Sequence, residues 1–179
     1  MALVTLEEAK RQLNLTTDRE DAELRLYIDA LPGVIEGLVG IVEPRTFTDH
    51  LPGGVAALSV LHPPVLEVTA LSGAGTTYDV ADLIVDGGAG VITRASGVFR
   101  GGPYTVTYTA GRPEIPPTIR LAALILLQHL WRTQRAARGG VAGGGDDFSV
   151  SDPVPGWGYA VPHRVRQLLD PYLLPPGVA

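Results

Sequence analysis

The sequence predicts an α+β protein, a small helical bundle around a central apolar helix with an inserted antiparallel β-hairpin/sheet region. Three observations predict it. Apolar residues keep helical spacing near both ends of the chain, the stretch from Pro44 to Ala110 changes to a period of two, and Pro113 to Ala136 reads as one long apolar helix with its own start and stop signals. At 179 residues the chain suits a single domain with a real core. With no cysteine, disulfide frameworks, thiolate metal sites and cysteine nucleophiles drop out together.

A capping box announces the first helix. In Thr5-Leu6-Glu7-Glu8 the threonine hydroxyl accepts from the backbone N–H three residues on while the glutamate reaches back, and Leu6, Ala9 and Leu13 then keep helical spacing until Asn14. A second box, Thr17-Asp18-Arg19-Glu20, opens a longer segment with Leu24, Ile28, Leu31, Ile35, Leu38 and Val42 at steps of four and three. That register passes unbroken through Pro32, so one kinked helix from Asp18 to Val42 is expected rather than two. Its acidic first turn, Asp18, Glu20, Asp21 and Glu23, suits the positive end of a helix dipole and reads as solvated charge rather than as a metal or acid-base site.

Six short strands are expected next: Arg45 to His50, Ala57 to Val60, Val65 to Leu71, Asp82 to Asp86, Val91 to Arg94 and Tyr104 to Thr109. Pro-Gly-Gly, His-Pro-Pro, Gly-Ala-Gly, Gly-Gly-Ala-Gly and Arg-Gly-Gly-Pro turns separate them, so antiparallel hairpins follow. In the last strand Thr105, Thr107 and Thr109 alternate with Tyr104, Val106 and Tyr108, which predicts a sheet with one wet face and one buried face.

The central helix opens through Pro116 and Pro117, tolerated where the first N–H groups lack partners anyway. Ile119, Ala122, Ala123, Leu126, Leu127 and Leu130 share a broad face that Leu124 and Trp131 extend, with Gln128, Arg132 and Arg135 opposite. Leu121 and Ile125 lie near the polar side, so the first half is apolar nearly all round and calls for neighbours on more than one side. The run is well short of the roughly 20 residues that a bilayer needs. Met1 to Lys10, with two glutamates and no long apolar segment, do not read as a signal peptide, and no membrane partner is expected.

Gly139 and Gly140 end this helix and begin a glycine-rich loop in which Phe148, Val150, Val154 and Trp157 are poorly suited to permanent exposure. These four, with Tyr172, are the candidate protein-interface residues. Pro162 starts a short helix through Val165, Leu168 and Leu169 ahead of a proline-rich tail. The chain thus divides into N-terminal helices (1–43), a β insertion (44–111), the central helix (112–138), the loop (139–160) and a C-terminal helix with its tail (161–179).

Little chemistry is written into these elements. His50, His62, His129 and His163 are dispersed without metal-site spacing, no serine sits in a Gly-x-Ser-x-Gly turn, and no glycine-rich segment runs into Lys-Ser or Lys-Thr. Gly87-Gly88-Ala89-Gly90 lacks the following helix that would hold a pyrophosphate, and Asp146-Asp147 offers too few oxygens for calcium. No catalytic residue, metal site or cofactor is expected, and the chain is not read as an enzyme. A net charge of −5 argues against tight sequence-independent binding to nucleic acid.

Several local phrases then fall in a telling order. They are Val4-Thr5-Leu6-Glu7-Glu8-Ala9-Lys10, the helix ending Val39-Gly40, the strand phrase Pro64-Val65-Leu66-Glu67-Val68, and Val106-Thr107-Tyr108-Thr109-Ala110-Gly111 leading through prolines into the apolar helix. Val161-Pro162-His163-Arg164-Val165 with Leu168-Leu169-Asp170-Pro171-Tyr172 completes the series. Over nearly its whole length the chain resembles the head-tail connector (adaptor, or head-completion) proteins of long-tailed double-stranded DNA bacteriophages.

The resemblance implies a structural virion protein at the head-tail junction, present in the host cytoplasm during assembly. Copies, about twelve, would form a homo-oligomeric ring beneath the portal protein, extend the channel through which genomic DNA passes without specific binding, and receive the next neck or tail protein. Two readings from other classes compete. A small-terminase-like DNA-packaging ring subunit should carry a basic helix-turn-helix, where helix two here begins acidic; a small hydrolase should lose its activity on mutation of Asp146 or His163.

Overall fold

A computed structural model of the chain describes residues 3–73, 75–139 and 161–174. The order is α1 (Leu6–Leu13), α2 (Asp21–Val39), β1 (Arg45–Leu51), β2 (Ala57–Ser59), β3 (Val65–Gly73), β4 (Thr76–Tyr78), β5 (Leu83–Asp86), β6 (Val91–Arg94), β7 (Tyr104–Ala110), α3 (Pro117–Gly139) and α4 (His163–Leu169). Single 3-10 turns occupy Val80–Asp82 and Asp170–Tyr172. Helices with antiparallel sheets make this the α+β class that the sequence predicts. Two compact units emerge, one of Met1–Leu38 with Ile115–Tyr172 and one of Val39–Glu114 with Leu173–Ala179.

In the first unit α1 has its capping box: the Glu8 N–H donates to Thr5 Oγ1 at 3.2 Å and the Thr5 N–H donates to Glu8 Oε2 at 2.8 Å. Asn14, in the left-handed conformation at φ 55°, closes the helix. The second helix passes through Pro32 as expected but begins at Asp21, not Asp18, and ends at Val39, not Val42. Ahead of its start the Thr17 hydroxyl bonds the Glu20 side chain at 3.0 Å. The first helical bonds run from Asp21 N–H to the Asp18 carbonyl and from Leu24 N–H to the Glu20 carbonyl.

The third helix starts where Pro116 offers its carbonyl to the N–H groups of Ile119 and Arg120. Ile119, Ala122, Ala123, Leu126 and Leu127 are fully buried, with Ile125 and Trp131 nearly so, whereas Leu121 stays 44% exposed. The near-complete apolar surround thus holds except at Leu121, with Leu124 half-buried. Gln12 Nε2 donates to Gln128 Oε1 at 3.0 Å and Arg120 approaches Glu8 at 3.6 Å, tying α1 to α3. Tyr27 meets the Trp131 ring edge-on at 6.0 Å, tying α2 to α3. Helix α4 packs on α3 through an element whose Val165 and Leu169 are fully buried.

The second unit holds two antiparallel sheets rather than one. The larger has the order β1-β7-β3-β4 and the smaller β2-β6-β5. All six expected strands lie within two residues of their predicted ends, the fourth of them starting at Leu83 because Asp82 belongs to the 3-10 turn, and the three-residue β4 was not foreseen. Both sheets feed one core. Leu51, Val65, Val68, Leu71, Tyr104, Val106, Tyr108 and Ala110 come from the larger, and Leu58 and Ile92 from the smaller. Along β7 the aromatic and aliphatic side chains are buried while Thr105, Thr107 and Thr109 are half-buried on the other face. There Thr107 meets Thr48 at 3.2 Å and Thr105 meets His50 at 3.1 Å across the β1 pairing.

Entry to and exit from this unit are clasped together. The Ile41 N–H donates to the Pro63 carbonyl and the Gly111 N–H to the Pro64 carbonyl, while Arg112 reaches the Val42 carbonyl from its N–H and the Val39 carbonyl from its guanidinium at 2.8 Å. Gly111 sits at φ 128°, and a Cβ there would lie 2.8 Å from the backbone of Glu43 and Pro44. Only glycine fits that approach.

Candidate functional site

The most developed polar cluster of the second unit is built on alternation. In β1, Phe47, Asp49 and Leu51 share the inward side of the strand, so period two carries a carboxylate into the core, where Asp49 is 4% exposed. Tyr108 on β7 donates its hydroxyl hydrogen to Asp49 Oδ2 at 2.7 Å, and the Leu61 N–H donates to the same oxygen at 2.8 Å. The His62 N–H donates to the Tyr108 hydroxyl oxygen at 3.1 Å. His62 Nδ1 lies 3.2 Å from that oxygen and 3.6 Å from Asp49 Oδ1. The imidazole stacks on Phe47, 4.1 Å between centroids and 9° between planes. Burial, then the bond to Asp49 and its charge, push the Tyr108 phenol far up, so it remains a donor.

Every polar atom of this cluster named above points at another member of it. The arrangement staples the β2–β3 connection onto β1 and β7. Sequence reasoning treated His62 as a dispersed histidine and passed over Asp49, although an aspartate in register with Phe47 and Leu51 was the available signal.

A second cluster sits in the first unit. Lys10, the one lysine in the chain, places its ammonium 2.6 Å from Asp18 and 2.8 Å from Asp21. Its bonds to those carboxylates raise the lysine's pKa, and the Lys10 hydrogen bond lowers that of Asp18. Two of the four acidic residues at the start of α2 are thereby engaged by a cation, a correction to their reading as simply solvated. The pair fixes the corner between α1 and α2.

Of the candidate interface residues, Phe148, Val150, Val154 and Trp157 lie outside the described residues, as do Asp146 and Asp147. Tyr172 is half-buried, its hydroxyl 2.9 Å from Thr118 Oγ1. Gly87 to Gly90 form the β5–β6 hairpin turn, in which Asp86 accepts from the Ala89 N–H. Large apolar side chains are exposed at Leu26 and Leu121 in the first unit, and at Val55, Leu61, Leu66, Ile84, Val85 and Val98 in the second. Among the described residues no helix is long and apolar enough to cross a membrane.

Comparison with known proteins supplies the class, that of structural virion proteins. A family model described as "Head completion protein" matches residues 2–173, and the chain belongs to that family. Among solved structures it is similar to a chain from the neck of an empty GTA particle computed with C6 symmetry, at 21% identity and a TM-score of 0.59, covering 97% of this chain and 90% of that one. A chain from the virion of a native gene transfer agent particle is similar at 20% identity and a TM-score of 0.60, with the same coverage. A third, from the neck of a native GTA particle computed with C12 symmetry, is similar at 20% identity and a TM-score of 0.55, covering 88% and 85%. At these identities the likeness carries the fold. No curated protein matches the chain.

Proposed function

We propose that the chain completes the head of a DNA-filled particle at its neck. Copies, about twelve, form a ring between the portal and the tail, extend the DNA channel and dock the next neck or tail component. The observation that carries this reading is the family match over residues 2–173, which takes in both the helical and the β unit. Fold similarity to chains from necks computed with C6 and C12 symmetry supports a cyclic arrangement. A net charge of −5 suits a wall past which DNA moves without adhering. Phe148, Val150, Val154, Trp157 and Tyr172 are proposed to contact a neighbouring copy or the portal, and the whole chain to act as one connector domain.

Particles assembled without this chain test the reading. Filled heads that lack tails and lose their DNA, restored by supplying the wild-type chain, are the expected result. Normal tailed particles in its absence would overturn it.

A further inference from the structure

We propose that neighbouring copies join edge to edge, with β5 of one copy adding as a strand to β1 of the next. The inference rests on the ring reading above and names its contact surface. Strand β5 lies at an edge of the three-stranded sheet and β1 at an edge of the four-stranded sheet, and one compact unit carries both. The remaining edges, β2 and β4, have three residues each, so β5 and β1 are the longer edge of their respective sheets.

The first of these edges is apolar on both sides. Ile84 and Val85 are consecutive, so they project to opposite faces of β5, and they are 59% and 36% exposed. An exposed apolar edge strand is a template for another strand. The flanking charges select which strand. Asp79, Asp82 and Asp86 are all exposed, and residues 79–86 contain no cation. Two β5 edges brought together would set these carboxylates against one another, which is destabilising. On β1 the exposed side chains are Arg45, Thr46, Thr48 and His50, while its one acid, Asp49, is buried and held by Tyr108 and Leu61. The acidic apolar edge and the threonine-rich edge that carries Arg45 are complementary. Because the two patches differ, the contact is head-to-tail, the kind that repeats around a ring rather than stopping at a dimer.

The chain contains no cysteine, so introduced cysteines report without background. Ile84→Cys would be combined with Thr46→Cys, and separately with Thr48→Cys, in the full chain and treated with a short thiol cross-linker. A ladder of dimers, trimers and larger species is expected from the double variants, with Ile84→Cys alone remaining monomeric on a denaturing gel. In parallel, Asp82→Arg or Arg45→Asp should raise the concentration at which assembly is half complete by about tenfold, and the two together should recover most of the loss. Unchanged thermal midpoints would establish that these exposed substitutions leave the fold intact. Dimers from Ile84→Cys alone would overturn the head-to-tail contact. Rings seen by mass or electron microscopy without a ladder, and with no effect of charge reversal, would overturn the strand pairing and leave the ring reading standing. A chain that stays monomeric without cross-linking would also overturn the pairing, the neck reading then being decided separately by the tail-attachment test. In either case the three aspartates act only as guards against edge aggregation.

Discussion

Tyr108 shows how one hydroxyl holds three segments. Its donated bond to Asp49 and its accepted bond from His62 both disappear in Tyr108→Phe, leaving a buried carboxylate short of a partner. A loss of about 1–3 kcal/mol is expected in chemical denaturation. The phenol's pKa is raised by the fold from 10.0, so the stability it contributes is complete below that value and is lost as pH rises above it. The wild-type melting temperature should therefore fall more steeply than that of Tyr108→Phe above about pH 10, and parallel curves would contradict this account. Of the cluster, Asp49 was legible as an acid occupying an inward position. The roles of Tyr108 and His62 were not, because residues 49, 62 and 108 meet only once β1, β7 and the β2–β3 connection have paired, and no local pattern encodes that. Lys10 was equally hidden: its partners Asp18 and Asp21 lie across a turn whose path the sequence alone does not set.

At the scale of elements, α3 separates core from surface within a few residues. Leu126→Ala removes fully buried methyl groups and should cost about 2–5 kcal/mol, whereas Leu121→Ala, at an exposed position, should stay within about 0.5 kcal/mol in the monomer. Equal effects would mean that the helix presents a different face. On the same helix, burial lowers the pKa of His129 from its ordinary 6.5. The folded state thus binds fewer protons there than the unfolded chain does, and the stability contributed by neutral His129 is present above 6.5 and declines as pH falls toward the folded value. His129→Gln should flatten the fall in melting temperature between about pH 6.5 and 5; an unchanged slope would assign that fall to other groups. Periodicity located α1, α3, α4 and six of the seven strands. It missed β4, whose three residues follow a turn too closely to show a period, and it could not divide the strands into two sheets, since that depends on which distant strands pair.

For the molecule as a whole, charge decides how it meets DNA. With a net charge of −5, a single lysine already bound to two aspartates and arginines scattered along the sequence, the chain gathers no run of cations to displace counterions from phosphates. No sub-micromolar shift of duplex DNA is expected at physiological salt, and one would revive the packaging-subunit reading. A different consequence follows from the clasp in which Arg112 bonds the carbonyls of Val39 and Val42. A segment that leaves and returns at one point can grow, shrink or be exchanged without re-routing the chain on either side, since lengthening a closed loop costs little. Evolution is therefore expected to have treated residues 39–114 as a cassette. Aligned family members should differ in length mainly inside that span and keep glycine where Gly111 stands, and a synthetic chimera carrying a relative's span between Leu38 and Ile115 should still fold.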